Sequence, residues 1–217
     1  TGPIGKLQFI IEDFATFHPD NSLNQSDAKF SIRTDFKNTS SFNIGFSNTS
    51  LNLLYPISFT DEKPVPAGFY QFNQLELMYN SDMRKLFGIF GMATVGQFYN
   101  GTVAGGSIGL NWRSQPHLNV SIRAEVNKIE LPKPYGSTNL VLISPKFEWN
   151  FNTKLFWTTF MQYNTQQNNF NINSRLQYRF KPMSDFFLVY TDNYFTDPIL
   201  KNKNRALIFK FSYWFNL

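Results

Sequence analysis

Several residue types and patterns are scarce in this chain, and each shortage excludes a class of protein. There is no cysteine among the 217 residues, which removes disulfides and thiol chemistry and fits an oxidising or envelope compartment. No apolar run approaches the roughly 18 residues that a membrane-spanning helix needs, and the mean hydropathy is −0.31. The net charge of +5 is not gathered into a basic run, so no nucleic-acid partner is indicated.

Aromatic residues, by contrast, are plentiful: they make up 18% of the chain, with 25 Phe and 10 Tyr. At the carboxy-terminal end one face of an alternating segment carries Leu207, Phe209, Phe211, Tyr213, Phe215 and Leu217. The other face carries Lys210, Ser212 and Asn216. Such a strand faces lipid on one side and water on the other, whereas at the edge of a soluble sheet it would aggregate. It is typical of outer-membrane β-barrels, and an arginine at Phe211, near its middle, should cost on the order of 2–4 kcal/mol.

The same period-two alternation recurs along the chain and predicts about twelve strands. The predicted strands cover residues 6–12, 27–37, 40–52, 67–80, 84–98, 102–113, 117–129, 138–151, 153–165, 169–181, 184–194 and 205–216. At about 3.3 Å per residue and a tilt of roughly 35–45°, strands of about ten residues cross an apolar band of roughly 25 Å. We therefore predict an all-β protein, a transmembrane antiparallel up-and-down β-barrel that occupies residues 1–217 as one domain. A large soluble β-sandwich with aromatic core strands is the alternative.

Alternation assigns side chains to two surfaces of the predicted barrel. The predicted lipid-facing side chains are Phe170, Ile172, Leu176, Tyr178, Leu207, Phe209, Phe211, Tyr213 and Phe215. The predicted lumen-lining side chains are Lys29, Arg33, Glu76, Arg113, Arg123, Glu125, Lys146, Glu148, Arg175 and Arg179. In a narrow bore these charges would largely fill the space by pairing across it, since charges away from bulk water need partners. We favour this polar plug over an anion-selective constriction for a small solute.

The predicted connections alternate between tight turns and longer loops. The tight turns are at residues 38–39, 81–83, 114–116, 151–152 and 182–183. The longer loops are at residues 13–26, 53–66, 130–137, 166–168 and 192–204. Short turns at one rim and long loops at the other are typical of outer-membrane barrels, with the long loops outside the cell. All 4 tryptophans lie near the short-turn rim or the carboxy-terminus, as in an interfacial aromatic girdle.

Several segments also resemble one known family. They are Pro-Val-Pro-Ala-Gly-Phe-Tyr at 64–70, Gly-Gln-Phe-Tyr-Asn-Gly at 96–101, and residues 110–118, 162–164 and 175–190. They are similar to the carboxy-terminal part of a Bacteroidota outer-membrane family, whose β-barrel domain of unknown function follows a module resembling family-nine carbohydrate-binding domains. The similarity covers residues 40–217. It implies a barrel that lacks the carbohydrate-binding module here, and we expect residues 1–217 to be the carboxy-terminal part of a larger barrel.

Few residues could support catalysis. The 2 histidines are His18, in a predicted outer loop, and His117, at the opposite rim. A barrel lipase needs a serine and a histidine within hydrogen-bond reach at the outer rim. A metal held by His18 with Asp13, Asp20 or Asp27 is a further alternative, but a solvated loop is the simpler interpretation. We predict no enzyme activity, no catalytic residue, no metal and no cofactor, and keep a barrel enzyme acting on lipid or glycan as the alternative.

The function that follows from this interpretation is structural or conductive. We predict a non-enzymatic barrel of the bacterial outer membrane that acts as a scaffold or anchor, or as a narrow porin-like pore, in the cell envelope. The expected partners are outer-membrane lipid and other envelope proteins, with no nucleic acid.

The predicted topology can be tested with protease added to intact cells. Cleavage should occur near Lys63 or Lys201 and spare the turn at Pro182, because exposed loop tips are the preferred sites of nicking. Fragment masses from intact and lysed cells measure this. Cleavage of intact cells at Pro182 alone would show that the orientation is inverted.

Overall fold

The computed structural model describes residues 2–60, 62–197 and 200–215, and every regular element in them is a β-strand. The strands are β1 (Ile4–Phe17), β2 (Leu23–Phe36), β3 (Ser41–Leu53), β4 (Gly68–Asn80), β5 (Phe87–Phe98), β6 (Gly101–Ser114), β7 (Leu118–Glu130), β8 (Ser137–Asn150), β9 (Leu155–Asn164), β10 (Asn169–Lys181), β11 (Ser184–Phe195) and β12 (Lys201–Ser212). Their order in the sheet is their order in the sequence. Of the predicted fold class, a transmembrane up-and-down β-barrel, the all-β antiparallel up-and-down topology with twelve strands is confirmed.

No helix among the described residues is long and apolar enough to cross a membrane.

The chain divides into two compact units. Unit 1 comprises Thr1–Met83, Ile89–Ile108 and Glu125–Leu140, and unit 2 comprises Arg84–Gly88, Gly109–Ala124 and Val141–Leu217. Unit 1 therefore contains β1 to β4 and most of β5, and unit 2 contains β9 to β12. The two units are described separately below.

Local sequence explains the turns that join the strands. Between β2 and β3 the Asn38 side chain accepts hydrogen bonds from the backbone N–H and hydroxyl of Ser40, at 3.0 and 2.6 Å, and Thr39 takes a positive φ of 66°. Between β10 and β11 Pro182 fixes its own φ and Met183 takes a φ of 57°. Asparagine side chains that mimic a backbone turn, and prolines that preset φ, are the usual means of reversing a chain tightly.

The first and last strands differ from the predicted ones. β1 runs over Ile4–Phe17 rather than 6–12, and β12 over Lys201–Ser212 rather than 205–216. The cause is that polar residues assigned to loops lie within paired strands, as Asp13 does opposite Ala28. The stripe residue Leu217 and its neighbour Asn216 lie outside the described residues.

The expected difference between short-turn and long-loop rims is wrong for most connections. On the side expected to carry long loops, the connections span residues 18–22, 54–67, 99–100, 131–136, 165–168 and 196–200. Those on the other side span residues 37–40, 81–86, 115–117, 151–154 and 182–183. Only the connection at 54–67 is long, because the strands extend into most of the other predicted loops. We keep the terms long-loop end and short-turn end for the two ends of the strands.

Very few apolar side chains are buried. Those that are buried among the described residues are Val65, Phe72 and Ile129, all in unit 1. Aromatic residues lie instead on exposed sheet surface: Phe30 is 45% exposed, Phe46 50% and Phe209 64%. A soluble β-sandwich would bury such side chains between two sheets. The observed exposure therefore counts against the sandwich alternative.

The position of β12 changes the expected depth of Phe211. Phe211 is next to the last residue of the strand, whereas Leu188, on the same face, lies near the middle of β11. In a lipid bilayer Leu188→Arg should destabilise folding by about 2–4 kcal/mol and Phe211→Arg by only about 0–1 kcal/mol, because the cost of arginine falls towards the interface. Reversible denaturant titration of the two variants in lipid vesicles measures this. Equal costs would contradict the depth assignment.

Candidate functional site

The polar face of unit 1 contains a charged pair that spans one intervening strand. Lys29 on β2 forms an ion pair with Glu76 on β4. Gly45 on β3 lies between them, where a Cβ atom would come within 3.1 Å of the Lys29 Cε atom. Because Gly45 has no side chain, the lysine can cross β3. Arg33, on the same face of β2, pairs along its own strand with Asp35 at 2.9 Å.

The polar face of unit 2 is built in the same way. Glu148 accepts hydrogen bonds from Asn119 at 2.8 Å and from Lys146 at 2.7 Å. Arg175 on β10 lies in the same row two strands along, since Thr158 on the intervening β9 is opposite both Glu148 and Arg175. A second pair joins Arg179 on β10 to Asp185 on β11 at 3.0 Å.

The remaining predicted lumen residues lie on β6 and β7. In β6, Arg113 follows the exposed Trp112 and therefore points to the opposite face. In β7, Arg123 is four residues after Asn119 and therefore points to the same face as Asn119. Both arginines thus lie on the polar face. Glu125, in unit 1, accepts a hydrogen bond from Asn127 at 3.0 Å. The ion pairs described here join positions on one strand, on adjacent strands or across one strand. The expected pairing across a bore, and the lumen role itself, stay predictions.

The opposite face of unit 2 is aromatic and aliphatic. Rows of directly opposed residues cross β10, β11 and β12, as in Leu176, Leu188 and Phe209. Seven predicted lipid-facing residues lie on this face: Phe170, Ile172, Leu176, Tyr178, Leu207, Phe209 and Phe211. Tyr213 and Phe215 follow β12, and their rings are in contact at 4.5 Å. That this aromatic face meets lipid stays a prediction.

The tryptophans lie at or beyond strand ends on the short-turn side. Trp149 and Trp157 are directly opposed on β8 and β9, and the Trp157 indole N–H donates to the Ser174 hydroxyl at 2.8 Å. The Trp214 backbone N–H donates to the Ser184 hydroxyl at 3.0 Å, which fixes the segment after β12. An apolar ring whose indole N–H is hydrogen-bonded, as in Trp157, suits a membrane–water interface.

An aromatic cluster near the long-loop end of unit 1 was not foreseen from the sequence. Phe59, from the 54–67 connection, contacts the rings of Phe98 and Tyr99 at 5.0 and 5.2 Å. Phe72 lies 5.7 Å from Tyr99, and burial raises the pKa of the Tyr99 hydroxyl. Residues Ile57 and Val65 pair within the same connection. The cluster therefore holds this connection against the sheet.

Asp192 is a charged residue that sequence reasoning missed, because the predicted outer loop at 192–204 overlapped the end of the predicted strand 184–194 and the residue was given to the loop. It lies in β11, is 0% exposed, and pairs with Arg205 of β12 at 2.8 Å. Register places Asp192 between Ile172 and Arg205, on the aromatic face. The sequence did contain a signal for this pair. The period-two alternation of Leu207 and Phe209, continued two residues towards the amino terminus, places Arg205 on the aromatic face.

Neither histidine has the partner that hydrolysis would need. The His117 Nδ1 atom lies 2.9 Å from the Asn150 carbonyl oxygen, and the buried His18 Nε2 atom has no hydrogen-bond partner. Near His18, the Ser22 hydroxyl and backbone N–H both donate to Asp20, which lowers the pKa of that carboxyl. Among the described ranges no group of acidic residues and histidines could hold a metal ion.

Comparison with known proteins gives few matches. No protein-family model matches the chain, and no curated protein matches it. The chain is similar to a solved structure of the NanC porin in a rhombohedral crystal form, with 13% sequence identity and a TM-score of 0.39, over 88% of this chain and 94% of that chain. The resemblance to the Bacteroidota family stays a prediction. A function must therefore be argued from the residues of this chain.

The role of Gly45 can be tested with a matched control. Gly45→Val should lower the free energy of unfolding by about 1 kcal/mol relative to Gly91→Val, because the new side chain displaces Lys29 from Glu76. Gly91 has nothing within 4 Å of a Cβ atom. The difference should disappear when Lys29→Ala is also present, as measured by a double-mutant cycle. A difference that persists without the lysine would contradict the crossing.

Proposed function

We propose that this protein is a non-enzymatic β-barrel of the bacterial outer membrane. The observation that carries the proposal is the pairing of an exposed aromatic face with a charged face on the same strands, for example Leu176 beside Arg175. β10 has 13 residues and β8 has 14, long enough to cross a thin bilayer when tilted. An exposed aromatic surface of this extent on an antiparallel sheet would drive aggregation in water.

Within that class, a scaffold or anchor is supported better than an open pore. Lys29, Lys146 and Arg179 each have a carboxylate partner close by, so much of the polar face is already neutralised. The aromatic cluster around Phe59 fixes the longest connection against unit 1 rather than leaving it free. A narrow porin-like pore is the second candidate, favoured by Arg113, Arg123 and Arg175 on the polar face. Other envelope proteins are the proposed partners, as in the family that the sequence resembles.

Membrane fractionation and bilayer recording test the proposal together. The protein should partition with outer membranes, and it should run faster on gels before boiling than after, as folded barrels do. A scaffold should give no defined conductance steps in planar bilayers, whereas a pore should give steps that charge reversal at Arg175 changes. Recovery of the folded protein in the aqueous fraction, without detergent, would refute the membrane assignment.

A second test concerns the absence of catalysis. Replacing His18 and His117 by alanine together should leave folding and membrane insertion essentially unchanged, because neither ring has a nucleophile within hydrogen-bond reach in the described structure. Purified barrel should be inert toward phospholipid and oligosaccharide. A turnover rate in detergent that disappears with either substitution would establish the barrel-enzyme alternative instead.

A further inference from the structure

The most unusual polar group of unit 2 is the set of side chains around Asp192. One carboxylate oxygen of Asp192 accepts hydrogen bonds from the hydroxyls of Tyr190 and Tyr194, both at 2.6 Å, and from Arg205 Nε at 2.8 Å. The other oxygen accepts from the Asn202 amide. The carboxylate is 0% exposed and fully satisfied, as a buried charge must be.

This group lies on the aromatic face. Tyr190 is opposite Leu207, and Asp192 is opposite Arg205. The register shift between Asn193 and Tyr194 brings Asn202 opposite Tyr194, on the same side. An ion pair on the surface proposed to meet lipid is costly and is normally found only where it has a role.

The depth of Arg205 along β12 gives the first indication of that role. Arg205 is eight residues from Tyr213, in the aromatic group that follows β12 at the short-turn end. At about 3.3 Å per residue and a tilt of roughly 35–45°, this separation corresponds to about 20 Å along the membrane normal. An apolar band of about 25 Å then places Arg205 close to the opposite interface, among lipid head groups.

The guanidinium has donors to spare at that depth. Arg205 uses Nε for Asp192 and Nη2 for Tyr194, at 3.3 Å, and among the described residues no other acceptor meets it. Its side chain is 56% exposed, although its partner Asp192 is buried. Lys201 and Lys203 lie on the same strand and are also exposed. A planar guanidinium held by a buried carboxylate is pre-organised for bidentate contact with a phosphate.

We propose that Arg205, positioned by Asp192, binds the phosphate of an anionic lipid head group in the leaflet at the long-loop end. The inference rests on the proposed membrane location. A lipid is favoured over a protein partner because Arg205 is an exposed cation at head-group depth, at the margin of an aliphatic and aromatic surface that includes Leu207 and Phe209. Lipid phosphates are the acceptors that lie at this depth across the whole membrane surface.

Retention of lipid A by the protein in phosphatidylcholine nanodiscs tests the proposal, with native mass spectrometry as the readout. Arg205→Gln should weaken retention about tenfold, which is the effect of losing one charge-assisted bidentate contact. The matched control is Arg179→Gln, which removes an arginine from the polar face and should retain lipid A as the unmodified protein does. Arg205→Lys should fall between the two, because it keeps the charge and loses the planar fork.

Two further arms separate the phosphate from the acyl chains. Dephosphorylated lipid A should be retained about tenfold less than lipid A by the unmodified protein. Inorganic phosphate in the buffer should displace little lipid A, because it lacks acyl chains. Equal retention of the dephosphorylated lipid, or complete displacement by inorganic phosphate, would overturn the assignment to a lipid phosphate.

Folding must be separated from binding, because Arg205→Gln leaves Asp192 buried without its cation. The double variant Asp192→Asn with Arg205→Gln removes both charges, and its folded state is checked by gel mobility before and after boiling. If the folded double variant retains lipid A as the unmodified protein does, the site is refuted. The site is also refuted if Arg205→Gln releases a co-purifying protein and leaves lipid A retention unchanged. Failure of the unmodified protein to enter nanodiscs would instead refute the membrane location and, with it, the site.

Discussion

Hydrogen bonding between consecutive antiparallel strands is the constraint on which the rest of this structure depends. Each strand pairs with its sequence neighbours, so every side chain must point to one of two faces, and a shift of one residue would exchange them. The sequence keeps that alternation over strands as different as β3 and β10. Few apolar side chains are buried among the described residues, so a conventional core contributes little to stability. On the proposed membrane location, lipid covers the aromatic face and supplies that contribution.

The alternation made the number of strands and their faces predictable from sequence. Phe170, Leu176 and Tyr178 could be assigned to one face and Arg175 to the other, because the pairing of β10 with β11 has no register shift before Arg179. The loops could not be predicted in the same way. Polar residues such as Asp13 lie in a strand because their backbone pairs with a neighbour, and polarity alone does not distinguish that position from a loop.

Side-chain contacts between strands were beyond the reach of the sequence for a different reason. That Lys29 reaches Glu76 depends on the register that places Gly45 between them, and register is not visible in a single strand. The same is true of Asp192, which meets Arg205 because the register of β11 and β12 makes them directly opposed, and meets Asn202 through the shift in pairing after Asn193. Pairing across strands, rather than alternation along one strand, therefore decides where the charged groups are neutralised and where a cation stays available.

The measurement that tests the two-faced account most directly uses the absence of cysteine. Single cysteines introduced in turn along β10, Asn169–Lys181, can carry a nitroxide whose collisions with oxygen and with a water-soluble nickel complex are measured in lipid vesicles. If one face meets lipid and the other water, oxygen accessibility should alternate with period two and be highest at Ile172, Leu176 and Tyr178, and the nickel complex should favour the alternate positions. Uniform access of the nickel complex to both faces, or burial of both, would contradict the account.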